Sequence, residues 1–176
     1  LRNRGEILLL RRGARVGTYR GRWAGVSGYV EGDAGPAPGT NDPDADVRRE
    51  IREETGLTEV TPVRAGDPLE VADAGRTWVV HPFLFDVESR AVVPNEEVAE
   101  WAWVPAPAMH RRETVPGLGT AYGRVAPTLA DVRADTEHGS AWLAAEALEV
   151  LRDRAAVATD WDPVADLARD LRTARG

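Results

Sequence analysis

Residues 43–57 constrain the chain more than any other stretch. Pro43 suits the first turn of a helix, Asp42 can cap it, and Gly56 stops it after Thr55. At about 100° per residue, Glu50, Glu53 and Glu54 fall within one arc of roughly 100°, while Val47 and Ile51 point to a neighbouring apolar face. Three carboxylates on one arc repel each other, at a few tenths of a kcal/mol per pair, so they want compensation from solvent or from a cation. Magnesium is the natural candidate, because a hard divalent ion takes oxygen ligands and is commonly shared between carboxylates and phosphates. Arg49 sits one turn before Glu53, where it can pair with that carboxylate and fix its rotamer. The competing reading is a solvated charged face, the usual meaning of such a run.

Around this helix the pattern is strand, strand, helix, strands. Residues 6–11 (EILLLR) form a short apolar run that reads as a buried strand, and residues 23–30 (WAGVSGYV) read as a glycine-punctuated strand or turn. Residues 76–88 (RTWVVHPFLFDVE) read as one strand rich in β-branched and aromatic side chains, and residues 100–104 (EWAWV) alternate with period two. The expected fold class is α+β, with helices against a mixed sheet. Near residue 126 the texture changes to Ala-rich helical periodicity, with helices expected over 139–155 and 163–174. The expected organisation is a domain over 1–125 and a helical extension over 126–176, the beginning of a larger domain or a pair of helices packed on the first.

Composition narrows the function. With 29 acidic against 22 basic side chains, a net charge of -7 argues against general binding of nucleic acid or of an anionic membrane. No apolar run approaches the roughly 18 residues that cross a bilayer, and no charged-then-apolar leader is read, so the expected compartment is the cytoplasm. The absence of cysteine excludes a disulfide framework, a thiolate metal site and a cysteine nucleophile. All the basic residues are arginine, a bias that reports the host rather than the activity. His81 is expected within the apolar strand as a core or edge residue, and nothing pairs His110 with His138 at a metal spacing.

The segment Arg49-Glu50-Ile51-Arg52-Glu53-Glu54-Thr55-Gly56-Leu57 resembles the REUxEExGU core of the Nudix box, where U is a bulky aliphatic, at every specified position. Residues 23–31 (WAGVSGYVE) resemble the strand and glycine loop that open the box, and residues 95–104 (NEEVAEWAWV) the segment that often brings a further carboxylate, with Glu97 and Glu100 at the matching places. The resemblance covers about residues 1–110 and implies a Nudix fold, an α/β/α sandwich around a mixed β-sheet, followed here by a short C-terminal helical segment. It implies hydrolysis of a nucleoside diphosphate linked to another moiety, with Mg2+ or Mn2+ held by Glu50, Glu53, Glu54 and the carbonyl of Gly28. Arg49 would orient Glu53, and either Glu50 or Glu97 would act as the base.

The box departs from the family in one place. Residues 33–40 (DAGPAPGT) look like an insertion of about seven residues, and Asn41 stands where the first box glutamate is expected, with Glu31, Asp33 and Asp42 nearby as substitutes. Because the later glutamates normally carry the metal, activity is expected to survive. Trp23, Arg20, Arg22 and Glu31 flank the glycine loop and are the candidates for substrate contact, Trp23 by stacking. Trp78 reads as packing, and of Trp101 and Trp103 one is expected in the core and the other toward the cleft. Residues 135–151 and the helix after them show a weaker similarity to the first helices of the initiation-factor-two-B regulatory-subunit family, which contains ribose-1,5-bisphosphate isomerases. The alternative to an enzyme is a Nudix-fold sensor that binds a nucleotide or sugar phosphate and regulates the attached helices, and a homodimer is the candidate assembly. A Nudix isomerase is disfavoured because its cysteine chemistry is missing.

Overall fold

The computed structural model describes residues 1–29, 43–73, 75–156 and 158–174. In chain order the elements are β1 (Arg2–Asn3), β2 (Glu6–Arg12), β3 (Trp23–Ala24), α1 (Pro43–Thr55), β4 (Val60–Ala65), β5 (Leu69–Asp73), β6 (Arg76–Val80), β7 (Phe83–Val87) and β8 (Val98–Pro105). A 3-10 turn (Ala106–Arg111) follows, then α2 (Leu118–Gly123), α3 (Leu129–Ala134), α4 (Ser140–Ala156) and α5 (Asp162–Arg172).

Strand β2 is the spine. It pairs along its whole length with β8, while its other edge takes β1 near the start and β3 near the end, all antiparallel. Strands β1 and β2 are joined by Arg4 and Gly5, both at positive φ (49° and 76°), as a two-residue hairpin of primed type requires. Strand β1 then pairs in parallel with β7, and β7 antiparallel with β4, so the sheet is mixed. Four consecutive apolar residues of β2 are buried because each face of the sheet is covered. Leu8 and Leu10 meet Ile51 of α1 and Leu57 just after it, with Phe85, Val87 and Val92, whereas Ile7 and Leu9 meet Val104, Ala106 and Met109 with Leu118 and Tyr122 beyond. A sheet between two helical layers is the expected α/β/α arrangement. Each such leucine or isoleucine contributes roughly 1.5–3 kcal/mol by leaving water.

The strand expected over 76–88 is in fact two. The chain turns at His81 and Pro82 between β6 and β7, and among the described residues β6 pairs with β5 alone, in a separate two-stranded sheet. Proline lacks the N–H that a continuous strand would need and holds the preceding residue extended, so an unbroken apolar run conceals a corner. His81 is therefore exposed at that corner and is not a core residue. The second strand reading also contracts: only Trp23 and Ala24 remain in the sheet, and the chain leaves it at Gly25. Trp101 and Trp103 pair with Leu10 and Leu8 on the same sheet face; Trp103 packs on the core and Trp101 is exposed.

The helices past residue 125 pack on each other and on the sheet edge. Arg2 lies buried beneath α4, with Nε 2.6 Å from Asp86 and Nη1 2.9 Å from Glu146 and 3.1 Å from Glu149. Arg152 donates to the carbonyl of Gly5 at 2.6 Å, and the Tyr122 hydroxyl donates to Asp153 at 2.8 Å. Helix α3 opens on a capping box in which Thr128 and Asp131 satisfy each other's backbone N–H groups, and Asp131 also meets Arg64 at 2.7 Å. The hydroxyl and N–H of Thr128 together with Arg64 outweigh desolvation and hold Asp131 below the usual carboxylate range. Asp131→Asn is therefore expected to cost about 1 kcal/mol at neutral pH. Since the folded pKa is depressed, that contribution is complete above the unfolded value of about 3.9 and is lost as pH falls through the folded one. Chemical denaturation at pH 7 and near pH 2.5 should show the two proteins apart in the first case and converged in the second.

Among the described residues, no helix is long and apolar enough to cross a membrane.

Candidate active site

Helix α1 buries Ile51 against the sheet, and this fixes where its carboxylates point. Its C-terminus is held firmly: Thr55 is fully buried, its hydroxyl donates to the carbonyl of Ile51, and it accepts from the N–H of Leu57 at 3.2 Å. Gly56 takes φ of 71° against Val93, where a Cβ would stand 3.1 Å from that of Val93, so only glycine ends the helix here without strain.

Glu54 is buried between α1 and the loop after β3, where the N–H of Ser27 donates to its carboxylate at 3.4 Å. Burial pushes Glu54 up to about 8; the charges of Glu50 and Glu97 add to that, against the Ser27 N–H and Arg12. Glu50 is raised by burial as well, with Glu53 and Glu97 in the same direction and Arg49 opposed. Gly28 lies directly against Glu50: a Cβ there would stand 2.1 Å from the Glu50 carboxyl carbon, so any side chain at 28 would displace that carboxylate. Glu53 points outward, more than half exposed, with Arg49 Nε 3.9 Å from it. The Gly13 N–H donates to the Glu97 carbonyl at 2.6 Å, which anchors the backbone of the turn before β8 beside β2.

The structure thus brings Glu50, Glu54, Glu97 and Gly28 to one place, with Arg49 and Glu53 at its edge. Arg49 reaches Asp46 at 2.9 Å and Glu50 at 3.2 Å, so it steadies Glu50 more closely than Glu53. Asp46, buried one turn earlier, was not singled out by the sequence; its signal is the three-residue spacing to Arg49. Arg12, in sequence only one of several arginines near the loop, donates to Ser27 Oγ at 3.1 Å and is the cation that acts on Glu54. The other candidates stand apart. Trp23 lies on the opposite face of the sheet, packed with the second core cluster and covered by Arg112, whose guanidinium carbon is 5.1 Å from its ring centre. Arg20 donates to the carbonyl of Val16 and Arg22 to that of Thr114, each spending a donor on the backbone. Glu100 faces Arg11 across the β2–β8 pair. Glu31, like Asp33, Asn41, Asp42 and the segment read as an insertion, lies outside the described residues.

The donor set fits a hard divalent cation: carboxylates and one backbone carbonyl are all oxygen ligands, and burial raises both the buried Glu54 and the partly buried Glu50. Among the described residues, no three acidic or imidazole side chains already converge as a ligand cage, because Glu53 is turned out to Arg49 and Glu54 in toward Ser27. Arg49→Ala is expected to lower turnover about 10- to 100-fold, as loss of a group orienting metal ligands does. It should shift the thermal midpoint little, the pairs it makes being partly exposed. Parallel kinetics and thermal melts check both halves.

A family model for the NUDIX domain matches residues 1–125. The chain belongs to that family, and its chemistry is that of a Nudix pyrophosphohydrolase, cleavage of a pyrophosphate bond. Solved structures agree on the fold. A Nudix hydrolase from M. smegmatis, RenU, is 22% identical, over 76% of this chain and 80% of its own, with a TM-score of 0.54. A C. elegans Ap4A hydrolase in a binary complex is 20% identical over 68% and 82%, with a TM-score of 0.53. A MutT protein from Methanosarcina mazei Go1 is 29% identical over 70% and 86%, with a TM-score of 0.51. Among curated proteins there is no match.

Proposed function

We propose that the substrate is a nucleoside diphosphate linked to a further moiety, hydrolysed with a divalent cation, magnesium or manganese, held by Glu50, Glu53, Glu54 and the Gly28 carbonyl. The observation that carries this is the buried Glu54: a carboxylate taken from water beside Glu50 and Glu97, whose charges Arg12 opposes, is costly unless a cation joins it. When bound, the ion supplies charge neutralisation for the phosphoryl oxygens and makes water acidic enough for a carboxylate to deprotonate. The chain's own side chains supply the remainder. Arg49 and Asp46 hold Glu50 in place, Ser27 and Arg12 hold Glu54, and the proton of the attacking water passes to Glu50 or to Glu97 at the rim of the cluster.

The test is a panel of ADP-ribose, dinucleoside polyphosphates, NADH and nucleoside triphosphates with magnesium, following release of phosphate or nucleotide. The wild type is expected to turn over at least one member. Glu50→Gln and Glu97→Gln then assign the base: its removal abolishes the acidic limb of the pH–rate profile, whereas removal of the other lowers the rate and keeps the limb. A sensor reading has one observation in its favour, the buried Arg2 that ties α4 to the sheet. Tight binding without turnover across the panel would favour it.

A further inference from the structure

The REUxEExGU pattern begins at Arg49 and asks for nothing at residue 46, yet α1 carries a carboxylate there. Asp46 stands in the first turn of the helix and is only 6% exposed. At about 100° per residue, Asp46, Arg49, Glu50 and Glu53 fall within one arc of roughly 100°, so the charged face begins one turn before Glu50. Arg49 spans that face. Its Nη1 donates to Asp46 at 2.9 Å and its Nη2 to Glu50 at 3.2 Å, while Nε stays 3.9 Å from Glu53. Of these three carboxylates, the one that holds the guanidinium most closely is the one outside the proposed set of metal ligands.

Packing does not account for an aspartate in that place. A buried carboxylate is costly unless it is paired and hydrogen-bonded, and well-packed apolar side chains in place of a buried ion pair are often neutral or stabilising. The other aspartate of the first turn shows the difference. Asp44 meets Arg48 at 2.7 Å, but its side chain is 46% exposed. Arg48 lies over the Phe85 ring, 4.8 Å from its centre, and donates to the carbonyl of Val60 at 3.4 Å. That pair ties the helix to the sheet. The Asp46 pair leads instead to the carboxylates of the site.

We propose that Asp46 is a positioning residue of the metal site: it takes up the charge of Arg49 at the near end of the arc, so that Glu50 and Glu53 keep theirs for the divalent cation. This rests on the cation-dependent reading above. Without the Asp46 charge, the guanidinium stays beside Glu50 and one turn from Glu53, closes on one of them as a full ion pair, and competes with the cation for it. The first turn suits the negative charge of Asp46, because the helix dipole favours an anion there. Asp46 acts through Arg49 and not on the substrate. Groups that orient metal ligands in this way set metal affinity by about 10- to 100-fold.

The experiment measures Mn2+ binding without substrate, from loss of the free-ion paramagnetic resonance signal, beside thermal melts in chelator. The proteins are the wild type, Asp46→Asn, Asp46→Leu, Asp44→Asn, Arg49→Ala and the double variant Asp46→Asn, Arg49→Ala. Asp46→Asn and Asp46→Leu should each weaken Mn2+ binding about tenfold or more while melting close to the wild type or above it. Asp44→Asn, which removes an equal charge from the same turn, should bind Mn2+ as the wild type does. In the Arg49→Ala background, Asp46→Asn should change the affinity by less than about twofold, since no guanidinium remains to compete. In rate measurements the Asp46 variants should need about tenfold more magnesium and then approach the wild-type kcat. Wild-type Mn2+ affinity in both Asp46 variants, whatever their melting point, would overturn the role, as would an equal loss in Asp44→Asn or the same loss with and without Arg49. Failure of the cation-dependent reading looks different and takes this role with it: the wild type itself would bind no Mn2+ and would turn over in chelator.

Discussion

Glu54→Gln is expected to move activity and stability in opposite directions. Turnover should fall on the order of 10²–10³-fold, because the amide cannot carry the charge that holds a cation against a diphosphate. Metal-free stability should rise by about 2 kcal/mol at neutral pH, because the amide keeps the shape and spares the cost of protonating on folding a carboxyl that burial raises to about 8. The wild type should gain thermal stability on addition of magnesium, by linkage to binding, and the variant should gain little. A side chain present only for packing would show neither the rise without metal nor the loss of response to it. Thermal melts with and without magnesium, beside steady-state rates, give all three numbers from two proteins.

Arg2→Met is the second large effect. Arg2 is 4% exposed and faces three carboxylates, Asp86 on β7 and Glu146 and Glu149 on α4. Burial raises Glu146 and Glu149, and Arg2 opposes that for both. Removing one partner of a buried ionic group leaves uncompensated charge, so the expected loss is about 3–5 kcal/mol. It should be felt first at α4, which Arg152 and Tyr122 also tie to the domain. Hydrogen exchange should show the amides of α4 opening well before those of β2. The triple variant Arg2→Met, Glu146→Gln, Glu149→Gln should recover most of the loss, since it removes the orphaned charges together with their partner. If Arg2→Met melts as the wild type does, the helices are held by their apolar contacts alone.

What could be read in advance follows the range of the interactions. Helix α1 and its glycine stop are set by residues within four positions of each other, and they stand as read. The buried strand 6–11 was legible because a run buried on both faces is uniformly apolar. The corner at His81 and Pro82 was not, since apolar side chains continue straight through it and only the proline marks the change of sheet. Arg2 was invisible: it stands in a two-residue strand, and Glu149, which accepts from it, is 147 positions away. Trp78 was read as packing, and the half of its environment that faces Tyr29 comes from a hairpin whose pairing partner could not be inferred from its own residues. The net charge of -7, which argues against general binding of nucleic acid, carries no information about a phosphate-bearing substrate. Net charge is a property of the whole surface, whereas Glu50, Glu54 and Glu97 act on one another locally, where a divalent ion can reverse their sign.

The most direct measurement is the rate of diphosphate hydrolysis against magnesium concentration for the wild type and for the double variant Glu53→Gln, Glu54→Gln, with the products followed by phosphorus NMR. The wild type should be silent in chelator and should saturate with magnesium, releasing two phosphorylated products from the cleaved diphosphate, while the folded double variant stays silent throughout. Turnover in chelator, or a double variant as fast as the wild type, would contradict a cation-dependent diphosphate hydrolase built on the acidic face of α1.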